Sequence, residues 1–196
     1  AQEMSHALAQ RQISRLSVVG SNLTTAPIIE ASFERLVGIL DRIIERHGFV
    51  LGPRPASADF ALYGQLTQLG LTDPTPARFL ARHSPRLRAW LDRAEDLSGQ
   101  PEASWLAHEA VADHLHELLG EIGRVYAPFL VANAQAMAQG HQEFAVTLDG
   151  QRWTQPVFAY QVKCLEVLRQ ARASMTEPAR AALDEVLKGT GCDVLF

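Results

Sequence analysis

The chain has 196 residues and a mass of 21.6 kDa, which suits one compact domain or one domain with a large extension and needs no disulfide staples. Hydrophobic residues make up 47% and charged residues 20%, against global disorder; a net charge of −4 leaves no broad basic surface for nucleic acid. Apolar runs such as Ala127 to Ala132 are too short to span a bilayer, and no signal-peptide pattern opens the chain. Cys164 and Cys192 make neither a metal spacing nor a CxxC, so a reducing, cytoplasmic setting is the simplest reading.

Helical periodicity dominates. Glu3 to Val19 is free of Pro and Gly, and Gly20 stands where a helix would stop. Pro27 suits the first turn of a second helix, with Thr25 as a possible cap. Ile29, Phe33, Leu36, Val37, Leu40, Ile43 and Ile44 then form one apolar stripe, ended by Gly48. Ser57 to Leu69 reads as a third helix with Phe60, Tyr63, Leu66 and Leu69 inward, closed by Gly70. Thr75-Pro76 and Ser84-Pro85 are helix starts, one helix running through Arg82 and the other through Leu97. Leu97 to Ala103, with Gly99 and Pro101, is the best boundary, dividing 1–100 from an extension at 101–196 packed on it as one unit.

Val111, Leu115, Leu118, Leu119, Ile122 and Tyr126 make the next helical stripe. Pro128 should kink or end it, because proline lacks an N–H and clashes with the preceding turn. A helical reading resumes to Gly140. The period then changes: Phe144, Val146 and Leu148 alternate with Ala145 and Thr147, and Asp149-Gly150 follows. That dipeptide between two such runs predicts a β-hairpin over about 143–155, most simply a surface clasp. Pro156 reopens a helix with Phe158, Val162, Leu165 and Leu168, and Thr176 and Pro178 start a last one.

Two segments carry a resemblance. "PASADFALYGQL" (Pro55 to Leu66) and "HSPRLRAWLDR" (His83 to Arg93), behind two long helices, resemble the C-terminal helical domain of cytosolic glutathione transferases. That family has a Ser/Thr-x-x-Asp capping box, whose acidic member Asp59 matches, and a P-x-L-x-x-W helix, matched by Pro85, Leu87 and Trp90. The family's cap position holds Ala56 here; either the helix forgoes a side-chain cap there, or Ser57 is the cap and Asp59 acts through the helix dipole. The tail segments "EIGRVYAPFLVANAQA" and "YQVKCLEVL" look like the long tails of some bacterial glutathione-transferase-like proteins. The resemblance implies a helical bundle for the first half; with the extension and hairpin read above, the whole is all-α, a helical bundle with a helical extension and one hairpin.

It also implies a function. In the family, glutathione sits on an N-terminal thioredoxin-like domain, where a Tyr, Ser or Cys activates the thiol. Nothing in this chain reads as that β-α-β region. The resemblance therefore makes this chain the substrate-binding helical half of such a protein, with no catalytic residue of its own. Glutathione would be a co-substrate that this half alone does not hold tightly. The partners would be the thioredoxin-like domain, a small hydrophobic or electrophilic substrate and a second copy in a homodimer, with no nucleic acid and no membrane. The alternative is a non-catalytic interaction or ligand-binding module.

Site residues follow from the family and from misplaced polarity. The family's first helix borders the cleft, which singles out Arg11, Gln12 and Arg15 as contacts for a carboxylate or acidic substrate; the alternative is a plain surface pair of arginines. Tyr126, Asn133 and Tyr160 offer polar tips among apolar neighbours. If the extension folds back over helix one, the two sets line one mostly apolar pocket onto which Arg15 and Asn133 both open. If not, Asn133 ties down the backbone near Pro128. His108, Glu109, Asp113, His114 and His116 read as a solvated face rather than a metal site, since His114 and His116 diverge on a helix. Cys164 reads as buried and inert, Cys192 as exposed and oxidisable.

Overall fold

A computed structural model describes residues 2–196. The elements are α1 (Gln2–Ser14), α2 (Ala26–His47), α3 (Ser57–Thr67), α4 (Pro74–His83), α5 (Pro85–Ala94), α6 (His108–Glu121), α7 (Ala127–Ala138), β1 (Glu143–Leu148), β2 (Gln151–Pro156), α8 (Ala159–Ala173) and α9 (Glu177–Leu187). The fold is all-α with one antiparallel hairpin. No helix among the described residues is long and apolar enough to cross a membrane.

The chain divides into two compact units, and not at the expected 100/101 boundary. Ala1–Ser32 joins Leu119–Phe196 in one unit; Phe33–Leu118 makes the other. The change of unit falls inside α2 and inside α6. Hydrophobic burial draws this line, each unit having its own core, and the Gly- and Pro-bearing stretch 97–103 is a surface loop within the second unit.

The second unit is built on Val37, Leu40, Phe49, Leu66, Leu80, Leu87, Trp90 and Leu91. Asp73, not Thr75, caps α4, its carboxylate accepting from the Thr75 N–H at 3.1 Å. Ser84 caps α5 as expected, accepting from the Leu87 N–H at 3.3 Å, and its own hydroxyl donates to Asp41 on α2. Phe60, expected inward, is 55% exposed. Gly70 lies inside a π-turn, Gln68–Thr72, that extends α3 past its expected end.

The first unit gathers Ile28, Phe129, Leu130, Phe144, Leu148, Trp153, Leu165, Leu187 and Cys192 into its core. The hairpin is thus part of that core rather than a surface clasp: Phe144, Leu148 and Trp153 point inward, and Phe129 packs edge-on to Trp153 with ring centres 5.5 Å apart. Its turn is the one the sequence asks for, with Asp149 at φ 49° and Gly150 at φ 74°. Val146 pairs with Trp153 and Phe144 with Gln155. Gln155, buried with them, accepts from the Trp153 indole N–H at 3.0 Å.

Pro128 neither ends nor interrupts the helical path. A π-turn, Ile122–Tyr126, lies between α6 and α7, and Pro128 falls in the first turn of α7. The wider turn absorbs the missing donor and the ring that a regular helix would not accommodate. The same turn carries Gly123, where a Cβ would lie 1.9 Å from the Thr190 carbonyl oxygen. Only a glycine lets the 190–191 backbone approach so closely.

Candidate functional site

Helix α1 ends earlier than expected, giving way to a short 3-10 turn, Leu16–Val19, before Gly20 in the left-handed region. Every side chain described on α1 is exposed, including Met4 at 70% and Ile13 at 57%. Leu8, Leu16 and Val19 add to this apolar surface. Arg11, Gln12 and Arg15 share one side of it and are exposed; among the described residues neither arginine has an ion pair. A chemically distinctive surface results, apolar side chains beside two unneutralised guanidinium groups. Such a surface suits a ligand with an apolar body and an anionic end.

Asn133 is placed differently. It is fully buried, its amide donating to the Phe158 carbonyl at 3.0 Å and its carbonyl accepting from the Phe158 N–H at 2.9 Å. Both hydrogen-bonding ends are occupied by the segment joining β2 to α8, not by the backbone near Pro128. No surface of Asn133 is left for a ligand, while Arg15 is open to solvent. Tyr126 and Tyr160 are exposed, at 45% and 65%. Tyr126 stacks on Phe129, and partial burial pushes its phenol above the ordinary range. Two open clefts among the described residues lie elsewhere. One of about 510 Å³ is lined by Arg172, Asp184, Leu187, Lys188 and Phe196. Another of about 650 Å³ is lined by Arg54, Gln100, Glu102 and Ser104.

The two motifs of the second unit have clear physical roles. Ala56 is the residue before α3, and Ser57 is exposed in its first turn, so Ser57 is not the cap. Asp59 does the capping from inside the helix: its carboxylate accepts from the Ala56 N–H at 2.8 Å and the Val50 N–H at 2.9 Å. It is 2% exposed; burial pushes the carboxyl up, and the amides pull it down less strongly. In the other motif, Trp90 donates its indole N–H to the Gly48 carbonyl at 2.9 Å, closing the end of α2, while Leu87 is fully buried.

His114 does not lie on a solvated face. It is buried, and its Nε2 donates to the Val50 carbonyl at 2.9 Å. Burial pushes its pKa down, helped by the positive charge of His47 and Arg46; the bond to Val50 acts the other way. His47 meets it edge-on, ring centres 4.5 Å apart. Sequence reasoning missed this role because helical spacing alone does not reveal which side of α6 is covered. Cys192 is buried rather than exposed, its thiol donating to the Leu119 carbonyl at 3.2 Å, and burial raises its pKa. Cys164 is half-buried. Among the described residues, no three His, Cys, Asp or Glu side chains gather where a metal ion could be held.

Comparison with known proteins agrees with these motifs. Residues 10–93 match the family described as "Glutathione S-transferase, C-terminal domain". No curated protein and no solved structure matches the chain. The match contains both motifs, the Asp59 cap and the Trp90 helix. Residues 10–93 of this chain, helical in the structure, are thus similar to a glutathione S-transferase C-terminal domain.

Proposed function

We propose that this chain supplies the substrate-binding helical half of a glutathione-dependent transferase, and that thiol activation comes from a thioredoxin-like domain outside these 196 residues. The family match over residues 10–93 carries the proposal. The exposed side of α1 supports it: Met4, Leu8 and Leu16 would face the apolar part of an electrophile, and Arg11 and Arg15 a carboxylate of glutathione or of an acidic substrate. Gln12, between them, would add a neutral donor and acceptor. Tyr126 and Tyr160 remain candidates for the substrate side; Asn133 acts only through the backbone it holds. Glutathione is then a shared ligand held weakly by this half, in a cytoplasmic setting.

The test has two arms. The purified chain, mixed with glutathione and 1-chloro-2,4-dinitrobenzene, should show no conjugation above the uncatalysed rate; clear turnover would refute the division of labour. S-Hexylglutathione, titrated by calorimetry, should bind weakly, and the double change Arg11→Glu, Arg15→Glu should weaken it about tenfold, as expected for lost charge-assisted hydrogen bonds. Absence of binding, or binding indifferent to the arginines, would favour the second reading. In that reading the same exposed apolar helix serves a non-catalytic protein-interaction module.

A further inference from the structure

The cleft of about 650 Å³ lies within the second unit, lined by Arg54, Pro55, Gln100, Pro101, Glu102 and Ser104. The proposed function gives it no part. Its base is held by several ties. Asp59 and His114 fix Val50. Phe49 and Gly52 exchange backbone hydrogen bonds at 3.1 and 3.3 Å, and the Leu106 N–H donates to the Leu51 carbonyl at 3.1 Å. Gly52, at φ 125°, admits this close approach, since a Cβ there would lie 3.0 Å from the Leu106 nitrogen. These ties set Trp105 beside Arg54, whose guanidinium lies over the indole, 4.3 Å from the ring centre. Stacking orients the fork and leaves its N–H groups free to donate. Gln100 is oriented too: its side-chain carbonyl accepts from Arg93 at 3.1 Å, which leaves its amide N–H groups for the cleft.

Two features select a ligand. Arg54 and Glu102 give the cleft opposite charges, yet among the described residues neither has an ion pair, so they stand too far apart to neutralise each other. Residues 100–107 also lack regular structure, and among the described residues the backbone of 100–105 makes no hydrogen bond. We propose that this cleft binds the main chain of a short zwitterionic peptide, its carboxylate on Arg54 and its ammonium on Glu102. A carboxylate meets the guanidinium fork through two parallel N–H···O bonds. An anion alone would face Glu102 unpaired, and a cation alone would face Arg54; a ligand with both charges answers both. The Gln100 amide, the Ser104 hydroxyl and the free backbone groups of 100–105 then serve the peptide N–H and C=O groups, as when a strand is added to an open edge. The cleft volume lies in the ordinary range of small-ligand pockets, and an extended tripeptide is about 10 Å long. Pro55 and Pro101 stiffen the walls, which lowers the ordering cost of binding. Recognition through termini and main chain alone is weak, with a dissociation constant on the order of 0.1–1 mM.

Trialanine, zwitterionic at neutral pH, is the probe, titrated by calorimetry into the 196-residue chain. Saturable binding is expected. Trialanine amide, which lacks the carboxylate, and N-acetyl-trialanine, which lacks the ammonium, should each bind about tenfold more weakly. Arg54→Gln should weaken trialanine about tenfold and leave the amide unchanged. Glu102→Gln should weaken trialanine about tenfold and leave the acetylated peptide unchanged. Both positions are exposed, and thermal melts matching the original chain check the fold. The double change Arg11→Glu, Arg15→Glu should not alter trialanine binding, which separates this test from the one at α1. No saturable binding up to about 10 mM trialanine overturns the proposal. So do blocked peptides that bind as well as the free one, variants that weaken all three peptides alike, or binding that follows the α1 arginines.

Discussion

The Asp59 carboxylate and the His114 imidazole hold one residue between them, Val50. Asp59 accepts from its N–H at 2.9 Å, and His114 donates to its carbonyl at 2.9 Å. All three residues are buried. The stretch from α2 to α3 is irregular, so its backbone polar groups have no helical partners. Buried, such groups cost free energy unless side chains satisfy them. One acid from the start of α3 and one base from α6 supply both partners, and the second unit gains a fixed point without regular structure there.

Removing the acid should be expensive. Asp59→Ala leaves the N–H groups of Ala56 and Val50 without acceptors, at about 1–3 kcal/mol each before water enters. A loss of about 2–4 kcal/mol in urea denaturation is expected. Ser57→Ala, by contrast, should be within about 0.5 kcal/mol of the original, because Ser57 is exposed and caps nothing.

His114 should make stability depend on pH. Its pKa lies below the ordinary 6.5 in the folded chain. Above 6.5 the residue is neutral in both states and its contribution is complete. As pH falls below 6.5, the unfolded chain takes up a proton that the folded chain refuses, and stability is lost until the folded-state pKa is passed. Melting temperature should therefore fall between pH 7.5 and pH 5, and His114→Gln, which keeps a donor toward Val50, should flatten that part of the profile. An unchanged slope in the variant would assign the effect to other groups.

Asn133 is expected to be structural. Asn133→Ala strands both polar groups of Phe158 and should cost about 2–4 kcal/mol. Asn133→Asp keeps an acceptor for the Phe158 N–H but sets a carboxylate against the Phe158 carbonyl. That variant should be less stable than the original at pH 7 and recover part of the loss toward pH 4, where a protonated acid donates again. Calorimetric affinity for S-hexylglutathione should not change in variants that remain folded.

Two glycines on neighbouring turns offer a matched pair. Gly123→Ala sets a Cβ against the Thr190 carbonyl and should destabilise by about 3 kcal/mol or more, since the obstacle is backbone. Gly120→Ala meets nothing within 4 Å and sits within α6, so it should gain up to about 1 kcal/mol from helix propensity alone. Equal effects in chemical denaturation would contradict the close approach at Gly123.

Much of this protein is determined by local sequence. The stripe along α2, the Ser84-Pro85 start of α5, the Asp149-Gly150 turn and the acidic helix start at Asp59 each depend on residues a few positions apart. Backbone sterics and helix-end hydrogen bonding act over that same range. The family resemblance rests on the same short motifs. Tertiary structure alone decided the rest. It placed His114 in a core instead of on a wet face, because which side of α6 is covered depends on residues more than sixty positions away, Val50 among them. It buried Cys192 beside Leu119, turned Asn133 toward Phe158, and moved the division between units into the middle of two helices. Hydrophobic burial is non-directional and pools surfaces distant in the chain. Periodicity therefore tells which residues seek a core, while only the packed structure shows which core they find.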